Sequence, residues 1–261
     1  MSKAYIGTSG FSYPHWGNGI FYPKGLPQTK WFEYYCQHFK TVELNVSFYR
    51  LPKKEVFAGW REKAGEKFVF SVKGSRFITH VKKLKDCQEA VEKFFEAASP
   101  LRGSTSREVE PHQVKNVVLW QLPPGFKANP ERLEEFLRVL PKAFRHAFEF
   151  RHESWLDKKI YNLLKKYNAA IVFQDYPDWP RTEKVTADFV YLRFHGRTRL
   201  YTSNYSDREL KEWGRKINKW LKKGLDVYVY FNNDALGYAV ENAVALRALA
   251  YKQSLSLRDS V

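Results

Sequence analysis

Three acidic residues stand in short aromatic-rich segments of the chain: Glu43 in VELNVSF, Glu149 in FEFRH and Asp175, which ends VFQD. A carboxylate held among aromatic rings can serve as general acid, base or nucleophile, because burial and neighbouring charge set its pKa. Basic residues stand in equivalent places: Lys73 in FSVKG, Arg151 in FEFRH and Arg193 in YLRFHG. These can hold an anion such as phosphate. Asn45, Gln121, Asn232 and Asn233 offer amides to a sugar or a base edge. His195, two residues after Arg193, could act as an acid–base group or donate to a phosphate. Two carboxylates flanking a glycosidic bond would also suit a hydrolase.

The spacing says how these groups are presented. Glu149 and Arg151 alternate with Phe148 and Phe150 at period two, so the charged pair shares one face of a strand and the rings share the other. The same alternation pairs Ser71 with Lys73, Arg193 with His195, and Tyr228 and Tyr230 with Asn232. Glu43, Asn45 and Ser47 read the same way. For Glu149 and Arg151 alone, a structural ion pair is the simpler account. Recurrence on strand after strand points instead to a polar ring at one end of a barrel, an active site or anion site.

Eight runs have strand character: 4–10, 41–49, 68–74, 116–124, 146–155, 169–175, 189–196 and 225–234. Helical patterns lie at 31–39, 53–64, 86–98, 130–140, 158–167, 207–223 and 238–251. Asn129 followed by Pro130 opens one helix, and Ser206 with Glu209 forms a capping box at another. Eight strands interleaved with helices in 261 residues predict a single-domain (β/α)8 TIM barrel. A doubly wound open sheet is the alternative, but its glycine-rich phosphate loop is poorly matched by GTSGFSYPHWGNG, where no helix follows at once. The polar stretch over 99–115 reads as a mobile surface loop or insertion.

Composition narrows the classes. With 44% hydrophobic residues the chain can bury a large core, which excludes a disordered protein. The net charge of +16 fits either a nucleic-acid partner or a basic surface spread all round. Basic and aromatic residues interleave at strand ends: Arg197, Arg199, Tyr201 and Tyr205 in GRTRLYTSNY, Arg76, His80, Lys82 and Lys83 in GSRFITHVKKL, and Tyr13 and Trp16 in FSYPHW. Phosphate contacts with base stacking use that mixture. The basic helix 207–224 is read more simply as a solvated amphipathic helix.

Cys36 and Cys87 have no metal spacing and no secretory segment precedes them, so a cytoplasmic protein with reduced thiols is expected. One Met and two Cys also fit a thermophile source. No apolar run approaches the roughly 18 residues of a membrane span. None of the seven histidines has helical zinc spacing. His80, His152 and His195 follow strands and could converge, so a divalent metal is possible but not favoured, and no cofactor is required.

In order, GTSGFSYPHWGNGIFYP, FKTVELNVSFYRLP, FSVKGSRFITHVKKL, LWQLPPGF, FEFRHESW, YLRFHG and VYVYFNND resemble the family catalogued as domain of unknown function 72, also called YecE-like. The resemblance spans nearly the whole chain and implies a TIM barrel similar to that of endonuclease IV, with a DNA-repair-like role by fold analogy. The many His and acidic metal ligands of endonuclease IV are not plainly present here. The expectation is therefore a DNA-binding protein that hydrolyses a phosphodiester or N-glycosidic bond with Glu43, Glu149 or Asp175. The alternatives are a small-molecule enzyme acting on a sugar or sugar phosphate, and a non-catalytic binding module. A closed pocket at the mouth favours the first alternative, and an open basic groove favours DNA.

Overall fold

Apolar side chains on one face of a strand need a layer to cover them, and polar ones on the other need each other or water. The computed structural model, which describes residues 2–102 and 116–255, satisfies both by closing the sheet on itself. Its strands are β1 (Ala4–Thr8), β2 (Thr41–Leu44), β3 (Val69–Lys73), β4 (Val117–Gln121), β5 (Arg145–Glu149), β6 (Ala170–Gln174), β7 (Phe189–Phe194) and β8 (Asp226–Phe231). They pair in parallel in the order β1-β8-β7-β6-β5-β4-β3-β2. β1 and β2 meet at a parallel bridge between Ser9 and Glu43, where the Gly10 N–H donates to the Glu43 carbonyl at 2.8 Å. The result is a single-domain (β/α)8 TIM barrel.

The helices are α1 (Trp31–His38), α2 (Val46–Tyr49), α3 (Lys54–Ala64), α4 (Gln88–Ala97), α5 (Pro130–Val139), α6 (Lys158–Lys166), α7 (Asp207–Lys222) and α8 (Tyr238–Leu255). Their distribution is uneven. β2 and β3 are joined through both α2 and α3, whereas the β6–β7 connection, residues 175–188, contains no helix. Asn129 caps α5 by accepting from the Arg132 N–H at 2.9 Å, and Ser206 with Glu209 forms the predicted capping box of α7. Both cysteines are free thiols. Among the described residues no helix is long and apolar enough to cross a membrane.

Several strand ends differ from expectation. The run 41–49 is strand only to Leu44. Asn45 turns into the helical region and Val46–Tyr49 form a helical turn closed by the Arg50 N–H on the Val46 carbonyl. Period two therefore stops at Glu43, and Asn45 and Ser47 are placed by helical rather than strand geometry. β5 ends at Glu149, and residues 153–155 form a short 3-10 turn. The loop expected over 99–115 begins with the turn Ser99–Leu101, and residues 103–115 lie outside the described residues.

Along the barrel axis the interior changes character. At the N-terminal end Arg145 closes the barrel, donating to Asp226 at 2.7 Å and to the Tyr228 hydroxyl at 2.6 Å. The middle is packed by Val69, Val117, Leu119, Val172, Tyr191 and Tyr230. Here the tyrosine hydroxyls are satisfied by Ser71 on Tyr191 and Thr41 on Tyr230. The C-terminal end holds the charged residues, so the packed middle forms the floor of a polar mouth.

Candidate active site

Three buried charges build the frame of the mouth. Arg193 on β7 grips Glu43 on β2 with two parallel bonds, Nε to Oε2 at 3.0 Å and Nη2 to Oε1 at 2.7 Å. Its Nη1 reaches Glu149 Oε2 at 2.5 Å. Glu43 also accepts from the Ser9 hydroxyl at 2.5 Å and from the Tyr191 hydroxyl at 2.7 Å, so both its oxygens are occupied. Both carboxylates are 0% exposed and Arg193 is 2% exposed. Burial alone would push the Glu149 carboxyl up, but Arg151 and Arg193 outweigh it and hold the group well below the usual carboxylate range. Burial likewise disfavours the Arg193 charge, and Glu149 and Glu43 reverse that and raise its pKa. Bidentate geometry with all three groups paired is the condition under which such burial is tolerated.

A second set is held beside the frame with unused capacity. The Lys73 side chain ends over the Phe48 ring, Nζ 4.2 Å from the centroid, and has no ion-pair partner among the described residues. Burial, followed by the Arg193 charge, lowers its pKa to about 8. Arg151 pairs with Glu149 Oε1 and its guanidinium carbon sits over Trp179, 3.1 Å from the ring centroid, while its buried Nε has no partner. His195 Nδ1 faces the Asn232 amide nitrogen at 3.2 Å, which makes Nδ1 the acceptor and puts the proton on Nε2. That Nε2 is buried and unpartnered, 3.9 Å from Glu149 Oε1. Burial and then Arg193 push the His195 pKa far down, so the ring is a neutral donor. Asn45 donates to the Ser9 hydroxyl at 2.8 Å and leaves its own oxygen unpartnered.

Aromatic rings roof this set. His195 packs edge-on to Trp179 at 4.8 Å and to Tyr201 at 5.9 Å. Tyr201 takes a left-handed φ of 63°, costly for a tyrosine, and is fixed there by its N–H on the His195 carbonyl at 2.6 Å. The chain can turn toward it because Gly196 has φ 95°, and a Cβ there would meet the Arg199 carbonyl at 2.6 Å. On the opposite side Tyr13 donates to the Ser9 carbonyl, and Trp16 donates to Asp234 at 2.8 Å.

Of the residues singled out from sequence, Glu43, Asn45, Lys73, Glu149, Arg151, Arg193, His195 and Asn232 gather at this end, and Gln121 ends β4 in register with Glu149. Asp175 follows the inward-facing Gln174 and turns outward. It accepts from the His195 N–H at 3.0 Å and from the Tyr205 hydroxyl, and burial raises its pKa. Asn233 is likewise on the outer side, donating to the Ser203 carbonyl and to Asn242. Arg76 and Arg197 are exposed, Arg197 pairing with Glu209 at 3.1 Å. His152 accepts from the Ser154 N–H, and among the described residues no group of three or more His, Cys, Asp or Glu could hold a metal ion. Ser9, Tyr191 and Trp179 were not foreseen. Tyr191 lies two before Arg193 and so carried a signal in the alternation. Trp179 lies in an irregular connection and carried none.

The family model described as "Protein of unknown function DUF72" matches residues 5–260. The chain is 27% identical to the UPF0759 protein YunF of Bacillus subtilis over 98% of this chain and 94% of that one. It is 32% identical to the UPF0759 protein YecE of Escherichia coli over 59% of this chain and 50% of that one. A crystal structure of a DUF72 family protein from Thermotoga maritima superposes with a TM-score of 0.81 at 32% identity, covering 95% of this chain and 98% of that one. D-psicose 3-epimerase from Clostridium cellulolyticum shares the fold at a TM-score of 0.53 and 9% identity. With a barrel of this form and a family match over almost its whole length, the chain belongs to the DUF72 family.

Proposed function

We propose that the mouth is the active site of an enzyme acting on a small anionic molecule of the sugar-phosphate or carboxylate kind. The observation that carries this is the buried, unpartnered Arg151 Nε and His195 Nε2, with the half-buried Lys73 ammonium free of any ion pair among the described residues, beside a frame whose own charges are already paired. Buried donors without acceptors are costly, and an anion would satisfy them together. The frame supports the same reading, since Arg193, Glu43 and Glu149 bring three charges into fixed positions without leaving a carboxylate to repel an anion at Lys73. The rings of Trp179 and Tyr201 also pack against His195, which is 0% exposed, a setting that favours a small ligand over a polymer. Lys73 and His195 are the groups available for proton transfer on the substrate, and Glu43, Glu149 and Arg193 position them.

A second reading, DNA or RNA bound across the rim and a phosphodiester or N-glycosidic bond hydrolysed beneath it, is favoured by one feature. Tyr49 is 80% and Phe77 51% exposed, with Arg76 and Lys82 beside Phe77, a surface able to stack bases and contact phosphates. Calorimetric titration at physiological salt separates the readings. The first predicts that phosphate and a pentose phosphate bind and that Arg151→Met weakens them. A tightly bound oligonucleotide with no small-anion binding would replace it with the second.

A further inference from the structure

We propose that Lys73 is a covalent catalytic residue, forming an imine with the aldehyde or ketone carbon of a small anionic carbonyl compound. This rests on the reading of the mouth as a small-anion site and adds the reactive group of the substrate. Three structural features lead to it. Lys73 is the last residue of β3 and shares the inward face with Ser71, so its side chain enters the mouth. Its ammonium lies against the Phe48 ring and not against a carboxylate. The two carboxylates that could have neutralised it, Glu43 and Glu149, are held by Arg193 and Arg151. A buried lysine is ordinarily paired, and one left beside other cations favours its neutral, nucleophilic form.

The surroundings act in the same direction. The groups facing it are Glu43 from β2, Arg193 and His195 from β7, Glu149 and Arg151 from β5 and its continuation, and His80 from the turn after β3. Burial comes first and the Arg193 charge second in bringing the amine to about 8, so an appreciable fraction is unprotonated near neutral pH. His195 Nε2–H and Arg151 are the donors that can orient a carboxylate or phosphate on the same molecule.

The step balances without an oxidant or reductant. The Nζ lone pair forms the C–N bond while the carbonyl π pair moves to oxygen. One proton leaves nitrogen and one reaches that oxygen, giving the carbinolamine. Its C–O bond then breaks, the oxygen departs as water with a further proton, the nitrogen lone pair closes the C=N bond, and the last N–H proton is released, replacing the one taken up by the oxygen. Amine and carbonyl become imine and water.

The test is to incubate the full chain with glyoxylate at pH 7, reduce with borohydride and map carboxymethyl-lysine by peptide mass spectrometry. From the larger neutral fraction, offset in part by lower intrinsic nucleophilicity, Lys73 should carry roughly tenfold more label than the mean of the other lysines. Inorganic phosphate should protect it, and Lys73→Arg should remove that label alone. If the variant does not fold, the wild-type map decides. Labelling of Lys73 at or below the surface level, with glyoxylate still bound by calorimetry, overturns the imine and leaves the anion site. Absence of both labelling and binding overturns the two together.

Discussion

Replacing Arg193 with Met removes the guanidinium that joins Glu43 to Glu149. The substitution preserves an unbranched apolar stem in a 2% exposed position, so little packing is lost. What remains is Glu43 with only hydroxyl donors and Glu149 with Arg151 as its guanidinium partner, both 0% exposed. Breaking one partner out of a buried ion-paired set costs about 3–5 kcal/mol. For a chain of 261 residues, at roughly 2–4 °C per kcal/mol, the melting temperature should fall by about 10 °C. Urea unfolding at pH 7 measures the cost directly. Its pH dependence carries a sign. Glu149 has its folded pKa depressed, so its stabilising effect is present above the ordinary value of about 4.3 and is lost as pH falls below it. The gap between wild type and variant should therefore be widest near neutrality and narrow on acidification. Adding Glu43→Gln to the variant should recover part of the loss by removing the carboxylate left with only hydroxyl donors. A loss below about 1 kcal/mol, or a double variant weaker than the additive sum, would refute the frame as described.

Lys73→Met should raise stability at pH 7 by about 1–2 kcal/mol, because a cation is removed from a place that disfavours it. The lowered folded pKa makes this gain largest below about 8, fading as pH rises toward the ordinary lysine value of about 10.4, and urea titrations at pH 7 and 10 would show it. Asp234 has its carboxyl raised to about 6, first by burial and against the pull of Trp16 and His15, so its contribution to stability should fall as pH rises from about 4 to 6. Asp234→Asn should flatten that slope in thermal melts. Ser206→Ala opens the capping box of α7 and should cost about 1 kcal/mol by the same measurement.

Most of the barrel can be read from the chain because period two is a covalent consequence of strand geometry. The faces assigned to Ser71 and Lys73, Glu149 and Arg151, and Arg193 and His195 follow from it directly. It fails where a strand stops, and the stop is set by contacts distant in sequence. Asn45 leaves the alternation because the chain turns helical there, placing Ser47 to donate to the Lys73 carbonyl. Asp175 and Asn233 end strands but face the helix layer, so proximity to a strand end did not place them in the mouth. Pairing within the site was not legible either, because the grip of Arg193 on Glu43 depends on the closure of β1 onto β2. The roof over Arg151 depends on Trp179 in a connection without a helix, which no periodicity announces.

The central claim is that a small anion is held inside the mouth by Lys73, Arg151 and His195. Diffraction from crystals soaked in tungstate, a phosphate-shaped anion located by its anomalous scattering, tests it most directly. The account predicts a peak within hydrogen-bond distance of Lys73 Nζ, Arg151 Nε and His195 Nε2, abolished in Lys73→Met. Peaks confined to Arg76, Lys82 and Arg197 on the rim, with the mouth empty, would contradict it.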